Sequence, residues 1–70
     1  MFQYTIILKA TVTLEGINYI AYPVIDRRTN TADQAIVERA VVNRYIRENH
    51  GVLSNVEVVR TSVSRVGVAA

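Results

Sequence analysis

Apolar and polar residues alternate almost without a break from Phe2 to Leu14. Phe2, Tyr4, Ile6, Leu8, Ala10, Val12 and Leu14 fall on one side; Gln3, Thr5, Ile7, Lys9, Thr11 and Thr13 fall on the other. A period of two in a stretch rich in β-branched and aromatic residues predicts a strand with one buried face. Glu15-Gly16 then supplies a two-residue hairpin turn in which Gly16 takes a positive φ. The return segment is apolar on both of its sides, with Ile17, Tyr19, Ala21 and Ile25 on one and Ile20, Tyr22 and Val24 on the other. Pairing Leu14 with Ile17 sets the register. Val12 then faces Tyr19, Ala10 faces Ala21 and Ile6 faces Ile25, while Thr11–Ile20, Lys9–Tyr22 and Ile7–Val24 share the second face. Pro23 has no N–H to give a ladder, which puts the return strand at an edge and the first strand in the centre.

The stretch Asp26 to Thr31 reads as a loop. Thr31 and Gln34 have the spacing of a capping box, so a helix is expected from Ala32 to His50, closed by Gly51 in a left-handed conformation. At 100° per residue, Ala35, Val41, Val42, Tyr45 and Ile46 form its apolar side, with Glu38 and Asn49 intruding. A last strand is expected over Val56 to Val66. Its parity slips, because Val56 and Val58 point one way and Val59, Thr61 and Val63 the other. Either a β-bulge near Val59 or Arg60 or a stretch buried on both faces accounts for the slip. Residues 67–70 are expected to be a frayed tail. The predicted fold is α+β with order ββαβ, a single domain over residues 1–70. It has a three-stranded antiparallel sheet, preferred order 2-1-3, and one helix packed on one face. A right-handed crossover beside the second strand is the competing topology.

Length sharpens this picture. A chain of 70 residues buries only about 60% of the surface its unfolded form exposes, so small domains lean on disulfides, metals or self-association. There is no cysteine and only one histidine, which leaves self-association as the expected helper. One helix covers one face of the sheet; the other presents Ile7, Ile20, Tyr22 and Val24, with Val59 and Val63 as further candidates. Removing roughly 400 Å² of apolar surface per subunit is worth on the order of 10 kcal/mol before association costs. The expected interface, with itself or a partner, is therefore Ile7, Ile20, Tyr22 and Val24 with Lys9 at the rim, two sheets packing face to face about a twofold axis. The alternative is a face that stays wet, with scattered apolar side chains among threonines and Lys9.

Charge adds a second candidate surface. The net charge is only +2, but seven arginines stand against one lysine, and arginine favours bidentate contacts to phosphate or carboxylate. Arg39, Arg44 and Arg47 on the helix, or Arg27 and Arg28 in the loop before it, are candidate anion or nucleic-acid contacts. Asp26, Asp33, Glu38 and Glu48 offset them, and Arg44–Glu48 is an ordinary i, i+4 pair. His50 reads as a helix C-terminal residue favoured by the dipole.

No nucleophile–base pair, paired carboxylates, glycine-rich phosphate loop or metal-ligand spacing is legible, so no enzyme activity, catalytic residue, metal, cofactor or small-molecule substrate is expected. The N-terminal stretch has no basic leader, and no apolar run approaches the ~20 residues that span a bilayer. An intracellular, cytoplasmic location without membrane contact is the expectation. The leading functional expectation is a small non-enzymatic interaction module. It would be homodimeric and bind another protein, like the inhibitor or adaptor proteins that phages and other mobile elements carry. Nucleic-acid binding through the arginines is the alternative.

Overall fold

The computed structural model describes residues 1–66; the expected frayed tail, residues 67–70, lies outside them. The chain forms β1 (Phe2–Leu14), β2 (Ile17–Ala21), β3 (Val24–Thr29), α1 (Gln34–Glu48) and β4 (Leu53–Arg65). The α+β class, the antiparallel sheet and the single helix agree with the sequence, but the sheet has four strands rather than three. The return arm of the hairpin is broken into β2 and β3 at Tyr22-Pro23. One register nevertheless runs through both pieces, from Leu14↔Ile17 to Ala10↔Ala21 and from Ile7↔Val24 to Phe2↔Thr29. The break has a local cause. The Leu8 N–H donates to the Pro23 carbonyl at 3.0 Å, so Pro23 faces β1 and the bond it cannot return is an inner one. The outer edge of the arm is untouched by the proline.

β4 pairs antiparallel with β1 along both halves of that strand, from Phe2↔Arg65 to Val12↔Leu53. β2 and β3 therefore share the opposite flank of β1, and the parallel crossover is not adopted. The ladder shifts register between Ile7 and Leu8, leaving Val59 as an extra residue on β4. This is the bulge that the parity slip implied. A second shift lies between Lys9 and Thr11, beside Asn55 with φ 53°. Val58 stands opposite Leu8, Thr61 opposite Ile6 and Val63 opposite Tyr4. The first bulge thus keeps the alternating residues of β4 on the helix side of the sheet. Val63 belongs to that side and not to the open face where parity alone had put it.

The helix starts later than the capping box implied. Asp33 is the N-cap, its carboxylate accepting from the N–H groups of Ala35 and Ile36 at 3.1 and 3.4 Å. Thr31 does not cap. Its carbonyl accepts the Tyr4 phenol at 2.8 Å, and Gln34 donates to Glu38 at 3.0 Å rather than reaching back. The helix ends at Glu48 with Asn49 as C-cap, two residues before Gly51, whose φ of 87° closes the following turn. Its buried residues are Val37 and Val41, flanked by part-buried Val42 and Tyr45, while Ala35 and Ile46 are exposed. The packing side is therefore rotated toward Val37. Glu38 stands at its margin because its carboxylate accepts the Thr61 hydroxyl from β4 as well as the Gln34 amide.

Tyr4, Ile6, Leu8, Val37 and Val41 form the core, with Phe2, Ile25, Val56 and Val58 packed around it. A 13-residue strand is about 43 Å long, whereas a 15-residue helix spans about 22 Å. The helix covers roughly half of its sheet. Ala10 and Val12 are still buried, but every residue from Thr13 to Ile20 is exposed. The β1–β2 hairpin projects past the end of the helix.

Candidate interaction surface

The sheet face opposite the helix is built from the odd-numbered residues of β1 and the residues paired with them. Near the chain's N-terminus this face is polar and internally satisfied. Arg28 Nε donates to Gln3 Oε1 at 2.9 Å, and Thr5 Oγ1 donates to Asp26 Oδ1 at 2.9 Å. At the hairpin tip, Thr13 Oγ1 donates to Asn18 Oδ1 at 2.6 Å. Between these polar brackets runs the apolar row Ile20, Tyr22 and Val24, at 53, 58 and 61% exposure. Ile7, half-buried on the central strand, stands directly beside Val24. The four apolar residues expected at the interface do share one face, and they are contiguous.

Lys9 stands on the central strand opposite Glu57 of β4, at the border between the apolar row and the polar β4 side. The β4 side of the same face is wholly polar: Ser54, Glu57, Arg60, Ser62 and Ser64 are the partners of the odd-numbered β1 residues. The apolar surface is therefore confined to the β2–β3 flank. Val59, set out of the ladder by the bulge, is exposed.

The sequence reading missed a second group. Leu14, Ile17 and Tyr19 lie on the helix side of the sheet, yet all three are exposed because the helix stops short of them. The signal was present in the chain: the first strand and the helix have similar residue counts, and a helix rises less than half as far per residue. Both faces of the hairpin arm consequently carry uncovered apolar side chains.

The arginines divide. Arg27 of β3 and Arg44 and Arg47 of α1 meet with Asn43 around an open groove. It adjoins a cavity of about 300 Å³ lined by apolar Ile25, Val41 and Tyr45, by charged Arg27, Arg44 and Glu48, and by Asp26, whose carboxylate is on the other face with Thr5. Arg44 Nε lies 3.6 Å from Glu48 Oε1, the helical pair expected from the sequence. Arg28 is on the other face with Gln3, and Arg39, exposed on the helix, does not line the groove. The structure thus merges members of the two candidate anion sets and leaves one of each outside. His50 is exposed in the turn beyond the helix end rather than in its last turn.

Four of the six carboxylates have structural partners: Asp26 holds Thr5, Asp33 caps the helix, Glu38 holds Thr61 and Gln34, and Glu48 pairs with Arg44. Among the described residues, no helix is long and apolar enough to cross a membrane. Comparison of this chain with known proteins gives no match to any family model, curated protein or solved structure.

Proposed function

We propose that this protein is a non-enzymatic interaction module that self-associates as a homodimer and acts by occupying a surface of a macromolecular partner. The observation that carries this reading is the row Ile20, Tyr22 and Val24. It is more than half exposed, stands beside Ile7 and is bracketed by satisfied polar pairs. Contiguous apolar side chains of this size are costly to leave in water and mark contact sites, and tyrosine is enriched at such contacts. Four of the six carboxylates are engaged in structural contacts, which fits a protein that works by occupancy. Sedimentation of the purified chain tests the reading: a predominantly dimeric mass at micromolar concentration supports it, and a monomer across the accessible range removes it.

A second reading, binding of a polyanion such as a nucleic-acid strand, is favoured by one specific feature. Arg27, Arg44 and Arg47 converge from two elements on one groove, and guanidinium groups so placed suit phosphate oxygens.

A further inference from the structure

We infer that two copies of this chain associate edge to edge, the β2 strand of one pairing antiparallel with the β2 strand of the other across a twofold axis. The inference rests on the self-association proposed above and specifies its geometry. Three observations carry it.

The first is which sheet edges are guarded. Natural sheets protect exposed edges with charges, prolines and bulges. β4 carries Glu57, Arg60 and Arg65 and two register shifts. β3 carries Asp26, Arg27 and Arg28. β2 has none of these devices, and the sequence from Gly16 to Ile25 contains no charged residue. The one proline of the arm turns its nitrogen side toward β1 and leaves the outer edge open.

The second is where the uncovered apolar surface lies. A copy stacked squarely over the open face would desolvate Lys9, Glu57 and Arg60, a cost that a copy alongside β2 does not carry. A copy alongside β2 meets an uncharged flank, apolar apart from Asn18 near the tip. It also shelters side chains on both faces of the arm: Ile20 and Tyr22 on one, Ile17 and Tyr19, 67 and 47% exposed, on the other. Backbone included, these residues and Val24 expose roughly 500 Å² per copy, an upper bound on what the edge contact removes from water and the size of a small interface rather than the ~800 Å² per partner of a standard one.

The third is the direction of the backbone. The inward bond at Pro23 fixes the alternation. Residues 17, 19 and 21 bond to β1, and the N–H and C=O groups of Asn18, Ile20 and Tyr22 point outward. An isologous contact needs a surface complementary to itself, and an uncharged strand paired antiparallel with its own copy meets that need without like-charge repulsion.

The test combines sedimentation equilibrium with amide hydrogen exchange on the full chain, at concentrations above and below the dimer transition. The expected result is a dimer in which the Asn18, Ile20 and Tyr22 amides exchange at least about tenfold more slowly than in the diluted monomer. A dimer in which those three amides exchange as freely as in the monomer overturns the edge pairing and leaves the proposed self-association standing. A monomer throughout overturns both. Tyr19→Lys, on the helix side of the arm, is expected to weaken association at least tenfold with unchanged circular dichroism. If it leaves association unchanged while Tyr22→Lys abolishes it, the contact is the open face and not the β2 edge.

Discussion

The phenol of Tyr4 donates a hydrogen bond to the carbonyl of Thr31 at 2.8 Å. It joins the first residue of the central strand's buried row to the segment that leads into α1, across 27 positions of sequence. Tyr4 is the largest of the fully buried side chains, and this bond satisfies its only polar atom. It also holds the chain so that Asp33, two residues on, meets the first turn of the helix. Core packing and helix entry are coupled through one hydroxyl.

Tyr4→Phe keeps the ring in the core and leaves the Thr31 carbonyl without its partner. The expected loss is about 1–2 kcal/mol of unfolding free energy, read as a lower urea midpoint at unchanged slope. An unaltered midpoint would mean that water replaces the phenol without cost.

Asp33→Ala removes the helix cap and is expected to destabilise the fold by about 1 kcal/mol. Thr31→Ala, at the position the sequence pattern favours as cap, is expected to cost less than ~0.5 kcal/mol. Thermal unfolding of the two variants distinguishes the assignments, since the reverse order would restore Thr31 as the cap.

Glu15 sits at φ 51° and Gly16 at φ 78°, the paired positive angles of a type I′ turn, in which asparagine is favoured at the first position. Glu15→Asn is expected to raise stability by about 0.5–1 kcal/mol, because a left-handed conformation suits asparagine better than glutamate. A fall in melting temperature would contradict this account of the turn.

Tyr22→Lys places a charge in the middle of the apolar row. Under the proposed function it weakens self-association at least about a hundredfold, equivalent to about 2.7 kcal/mol, with secondary structure retained. Sedimentation at matched concentrations measures the effect, and an unchanged mass distribution would mean that the row is not the contact.

Replacing Arg27, Arg44 and Arg47 together by glutamine tests the second reading. Any mobility shift of a nucleic-acid probe by the native chain is expected to weaken steeply with salt and to vanish in the triple variant. Arg28→Gln, on the opposite face, should leave it intact. Absence of a shift at micromolar native protein disposes of the polyanion reading.

The sequence by itself determined the parts of this protein that depend on neighbours along the chain. The period-two alternation of β1, the turn at Glu15-Gly16 and the cross-strand register from Leu14↔Ile17 onward follow from local sterics and from a pleat that sends successive side chains to opposite faces. The bulge at Val59 was legible as a slip of parity for the same reason. Ile7, Ile20, Tyr22 and Val24 could be placed on one face because they are tied by that register. Tertiary structure decided what depends on distant contacts. Asp33 rather than Thr31 caps the helix: the helix starts at Gln34, while Thr31 is held two residues upstream of that cap, its hydroxyl accepting from Thr29 and its carbonyl from Tyr4. The helix turns Val37 and Val41 inward against Tyr4, Ile6 and Leu8, which leaves Glu38 at the seam, where it meets Thr61. Val63 lies on the helix side because the bulge preceding it resets the strand. The union of Arg27 with Arg44 and Arg47 depends on how α1 crosses the sheet, leaving a groove between itself and β3. Alternation along a chain reveals which side chains share a face. The angle and length at which one element crosses another decide which of those faces is left in water.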